Sequence, residues 1–130
     1  MNMQDMVNSL ATLPAEQRKT MITERLNMFY ELPEAQREQS MMAMVQAVSN
    51  LPDESRRKMV HSRTECLCEL PQEKRATLMG THMSVLQGLD ATTRMKDMQT
   101  VQAIIPELSP DHQAIVKGMM EKMEHQGHQH

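Results

Sequence analysis

The chain has 130 residues and a formal net charge of −3, which leaves room for one modest domain and gives no excess of positive charge to draw nucleic acid or an anionic membrane. Sixteen methionines stand against one phenylalanine, one tyrosine and no tryptophan, so a core here is filled by flexible thioethers rather than rings. No run approaches the ~20 apolar residues that cross a bilayer, so membrane insertion is not expected.

The first element is a half-repeat. Met3, Met6, Val7 and Leu10 fall on one face of a short helix. It reads as a capping helix, because stacked repeats need a distinct end; a piece of a longer array is the other reading. The opening MNMQDMVNSL holds neither a basic n-region nor an apolar h-region, so no signal peptide is expected.

From Leu13 onward one phrase is rewritten six times. Leu13, Leu32, Leu51, Leu70, Leu89 and Leu108 recur at a constant interval, every nineteenth position. Pro14, Pro33, Pro52 and Pro71 follow the first four, and Asp90 and Ser109 take their place in the last two. With leucine as position 1, position 6 is Arg18, Arg37, Arg56, Arg75 and Arg94, then Gln113. A fixed period of this kind is the mark of repeated structural units. Proline suits the first helical turn, where its missing N–H is not needed, and Asp90 and Ser109 suit an N-cap. Asn50 and Gly88 suit a left-handed helix end, and Pro106 stops the fifth repeat helix. Each copy predicts one helix of roughly 14 to 16 residues, joined to the next by a very short turn.

The apolar positions support that expectation. Position 10 (Ile22, Met41, Val60, Met79, Met98), position 16 (Met28, Ala47, Cys66, Val85, Ile104, Met123) and position 17 (Phe29, Val48, Leu67, Leu86, Ile105) share an arc of roughly 120° on a helix. A weaker alternation, with a period of two copies, lies over the single repeat. Position 11 is polar in odd copies (Thr23, His61, Gln99) but Met42, Gly80 and Gly118 in even ones, where small residues would let backbones approach. Two helix classes predict an all-α fold: six full helices and a short N-terminal one, stacked as αα-hairpins in a solenoid-like array. A compact up-down bundle is the alternative. Residues 1–124 form one domain on this reading, and 125–130 a flexible His-rich tail.

The recurrent arginine lies within the apolar arc, and a charge there needs a partner. Arg18, Arg37, Arg56, Arg75 and Arg94 are expected to close the joints, stems packed over the neighbouring helix. Their guanidiniums would bind carbonyls or a glutamate at the preceding helix end, as in Glu31 to Arg37 or Glu69 to Arg75. A groove of five arginines for an anionic ligand is the competing reading.

Other candidate chemistry is thinner. His125, His128 and His130, following Met119, Met120 and Met123, have the ligand types for copper or zinc, but the spacing is not that of a zinc finger. Cys66 and Cys68 form no disulfide framework, which favours a reducing compartment. Two apart on a helix, they predict one buried thiol, Cys66, and one exposed, Cys68. His61, His82 and His112 show no spacing to a carboxylate or nucleophile that builds a catalytic constellation, and no Gly-rich phosphate loop exists, so an enzyme is not expected. No cofactor is implied. Met42, Met44, Met119 and Met120 thicken the face of the even helices, and Met-rich faces accept varied apolar partners. The expected function is a non-catalytic module for binding or scaffolding a protein or peptide. The alternatives are a metal-handling protein using the Met/His terminus, and a structural subunit of a larger assembly or homo-oligomer.

Overall fold

The computed structural model describes residues 2–127, with side chains described as far as Lys122. Among these residues there are seven α-helices and no strand: α1 (Met3–Thr12), α2 (Ala15–Glu31), α3 (Glu34–Ser49), α4 (Asp53–Glu69), α5 (Gln72–Gly88), α6 (Ala91–Ile104) and α7 (Pro110–Gly127), with a 3₁₀ turn at Ile105–Glu107 that contains Pro106. Residues 125–127 of the expected tail are the end of α7. No helix among the described residues is long and apolar enough to cross a membrane.

Each repeat leucine marks a junction, and the backbone shows why. Leu13, Leu32, Leu70, Leu89 and Leu108 stand at the end of the preceding helical segment with ψ between 150° and 158°. A proline ring disfavours helical ψ in the residue before it, so Leu-Pro is driven into extended backbone. The prolines follow with φ near −55° and ψ between 148° and 156°. They are therefore N-caps rather than first helical residues, a shift of one position from expectation. Two extended residues are enough to reverse the chain, so no left-handed residue is needed. Asn50 ends α3 with φ −81° and ψ −5°, Gly88 is the last residue of α5, and no residue among those described has positive φ.

The two sides of the turn are tied separately. Each leucine N–H bonds back three residues, as in Leu32 to Phe29 O at 3.1 Å, and each residue 2 carbonyl accepts from position 6, as in Arg56 N to Pro52 O at 2.8 Å. Where proline is absent, Asp90 O and Ser109 O accept in the same way, and Ser109 Oγ takes the His112 N–H at 3.3 Å.

Alternate helices pack together: α1 on α3 and α3 on α5, α2 on α4 and α4 on α6. Ile22, Met59, Val60, Cys66, Leu78, Val85 and Ile104 are sealed in the core. Among the described residues the apolar arc has two exposed members, Met28 and Met98, which are 57% and 41% exposed. They lie on α2 and α6, the outer helices of their row, which have a neighbour in that row on one side only. Cys68 is buried with Cys66, contrary to the expected exposed thiol. Helix α7 lies against α4 and brings the His112 carbonyl to 3.9 Å from Cys68 Sγ.

Candidate partner-binding cleft

All six position-6 side chains reach the carbonyl of their own repeat leucine. Arg18 Nη1 donates to Leu13 O at 2.8 Å, Arg37 Nη2 to Leu32 O at 2.9 Å, and Arg56 Nη1 to Leu51 O at 3.2 Å. Arg75 Nη1 donates to Leu70 O at 3.2 Å, Arg94 Nη1 to Leu89 O at 3.4 Å, and Gln113 Nε2 to Leu108 O at 2.9 Å. Those carbonyls face a turn with no backbone donor to spare, so a fork of N–H groups from position 6 satisfies them. The glutamate alternative is not used among the described residues: Glu69 pairs with Lys19 at 2.8 Å instead of with Arg75, and Glu31 makes no ion pair. Arg37, Arg75 and Arg94 also donate to Phe29 O, Cys68 O and Leu86 O at the end of the preceding helix, and two arginines bond a side chain two helices away. Arg18 Nε donates to Ser62 Oγ at 2.8 Å, and Arg56 Nε to Thr100 Oγ1 at 3.2 Å.

The five arginines serve successive turns, each bonded to the carbonyl of its own repeat leucine. A different charge cluster lies deeper. Asp97 on α6 is 3% exposed, with Arg63 Nη1 of α4 at 3.0 Å from one oxygen and His82 Nε2 of α5 at 3.2 Å from the other. Burial alone would push the Asp97 carboxyl up; the guanidinium and the imidazole outweigh it and hold the carboxyl well below the usual carboxylate range. Arg63 Nη1 is itself buried and is not aligned for a hydrogen bond. Among the described residues, His82 Nε2 is bonded to Asp97 and to no hydroxyl or thiol.

Sequence spacing hid this cluster. Asp97 occupies position 9, which holds Met59, Leu78 and Val116 in other copies, all buried. An acid in an apolar column was the available signal. Arg63 and His82 share position 13 in adjacent copies, so equivalent points on α4 and α5 converge on it.

The cluster floors a cleft of about 100 Å³. Met41, Met79, Met98, Met119 and Met120 wall it, with Leu67, Leu78, Leu86, Val101 and Val116 between them. Of the four methionines expected to meet a partner, Met119 and Met120 line this cleft. Met42 is half-buried and packs on the core, its Cε 3.2 Å from where a Cβ on Gly88 would stand. Met44 is buried at 3%, because position 13 of α3 turns into the core, and it offers no surface. Of the expected metal ligands, His128 and His130 lie outside the described residues, as does the side chain of His125. The described residues contain no cluster of three His, Cys, Asp or Glu arranged around one point.

These features define an all-helical protein with a Met-walled cleft over a buried charge cluster. The chain belongs to the family described as "Protein of unknown function (DUF3106)", whose profile matches residues 1–80, from α1 into the middle of α5. No match is found among curated proteins or among solved structures.

Proposed function

We propose that the chain is a non-catalytic binding module that takes an apolar anchor of a protein or peptide partner into the Met-lined cleft. The observation that carries this reading is the cleft: five methionines line an open, mostly apolar hollow that Asp97, Arg63 and His82 also line. Thioether walls re-pack around anchors of different shape, which is how Met-rich surfaces accept varied partners. A space of about 100 Å³ suits a side chain or two, whereas sites for drug-sized ligands run to several hundred. Asp97, Arg63 and His82 tie α6 to α4 and α5, so the floor stays fixed while the walls adapt.

On this reading the helices are stacked αα-hairpins rather than a closed bundle. Two interactions support it by recurring two repeat copies further along the chain: Arg18–Ser62 with Arg56–Thr100, and Lys19–Glu69 with Arg57–Glu107. The arginines then act as joint closers, one per turn. A second reading, a subunit of a larger assembly, draws on Met21, Met28 and Met95, which are 45%, 57% and 54% exposed.

Panning displayed peptides against the full chain tests the cleft. Enriched peptides lose binding to Val101→Trp, which fills the cleft mouth, and keep it for a surface control such as Gln99→Ala. Undiminished binding to Val101→Trp would remove the cleft from the reading.

A further inference from the structure

The packing of alternate helices stops short at one step: α5 and α7 are not closely packed, and a groove of about 310 Å³ lies between them. Met79, Met83, Ile115 and Met119 form its walls. Among the described residues, the charged ones that line it are Arg75 and Lys122, both positive, in a chain whose net charge is −3. Met79 and Met119 also line the cleft, so these two side chains are the partition between cleft and groove.

The groove floor explains two costly residues. Gly80 and Gly118 stand inside helices, where glycine is destabilising relative to alanine. Neither has positive φ, and a Cβ built on either meets nothing within 4 Å. The close backbone approach expected at these positions is therefore not made among the described residues. With Ala76 and Ala114 one turn earlier, they leave both helix backbones open to something in the groove.

We propose that this groove receives an amphipathic helix of a partner protein, with small and apolar residues on its buried stripe and acidic residues flanking it. A second copy of this chain fits less well, because its matching face would bring Arg75 and Lys122 against the same two charges. The proposal rests on the reading of the chain as a protein-binding module and names the chemistry of the partner. A helix seated here pushes on Met79 and Met119 and can send an apolar side chain past them into the cleft.

Two synthetic helices of about 18 residues test it, sharing one Ala/Leu stripe and flanked by glutamates or by lysines. Binding to the full chain is read by fluorescence anisotropy. The acidic helix is expected to bind at least about tenfold more tightly than the basic one, with the preference shrinking in high salt and with Lys122→Glu. Gly80→Leu and Gly118→Leu start from a Cβ position with open space around it, are expected to leave the melting temperature no lower than the parent's, and abolish binding. Three outcomes overturn the proposal: equal affinity for both helices, binding untouched by the glycine variants, or a concentration-dependent dimer in sedimentation that Gly80→Leu dissolves. Binding lost in Val101→Trp but kept in both glycine variants would overturn the groove while leaving the cleft reading intact. Loss in the glycine variants alone supports the groove independently of the cleft.

Discussion

Arg18 on α2 donates through Nε to Ser62 Oγ on α4 at 2.8 Å, and Ser62 is 1% exposed. The same guanidinium holds Leu13 O, so one side chain ties a turn to the helix beside it. Arg18 is itself 7% exposed, which makes it the most completely buried member of its series. Arg18→Ala strands a carbonyl and a hydroxyl and is expected to cost about 2 to 3 kcal/mol. Arg37→Ala leaves half-buried carbonyls that water can reach in part, and about 1 to 2 kcal/mol is expected. Urea melts of both variants check the order, and Arg18→Lys should recover little because an ammonium lacks the fork.

The Asp97 cluster sets a second expectation. Its carboxyl is held below the ordinary range in the folded state, against about 3.9 in the unfolded chain. The stabilisation is thus complete above about pH 4 and is lost as pH falls through the folded value. Asp97→Asn leaves Arg63 without a counter-charge and is expected to cost about 3 kcal/mol at pH 7. The variant should also lose less stability than the parent on going to low pH. Denaturation midpoints across pH 2–7 measure both.

Reactivity of the thiols is the third. Burial pushes both Cys66 and Cys68 up from the ordinary thiol range. Neither should react with a water-soluble thiol reagent until the fold opens, and the two should become reactive together in denaturant. Fast labelling of Cys68 in native buffer would mean α7 leaves α4 readily.

Helix-interior glycines give the fourth. Gly80→Ala and Gly118→Ala place a methyl in open space and are each expected to stabilise by about 0.5 to 1 kcal/mol. Gly88→Ala should gain less, since its new methyl must move Met42 Cε, now 3.2 Å away. Thermal melts of the three single variants check this.

Much of this fold is legible in one phrase. Leu-Pro forces extended backbone before a helix in four copies, and the repeat leucine, present in all six at a fixed interval, places the helix boundaries to within a position or two. The chain reversal itself is not legible there, because two extended residues do what a left-handed glycine or asparagine does elsewhere. Local rules do not place α7: its position against α4 buries Cys68, and its separation from α5 leaves Gly80 and Gly118 uncovered. The charge cluster is legible only by column, with Asp97 where Met59, Leu78 and Val116 are apolar. Its partners, Arg63 and His82, lie far back along the chain on two other helices, at no motif spacing.

The Met119 methyl, which lines both cleft and groove, gives the most direct test of partner binding at this site. In a methyl-¹³C methionine spectrum of the full chain, saturating amounts of a bound peptide are expected to shift Met119, Met98 and Met120 and to leave the buried Met44 and Met59 in place. Shifts confined to Met21, Met28 and Met95, with Met119 unmoved, would contradict the account and assign binding to the outer face of α2 and α6.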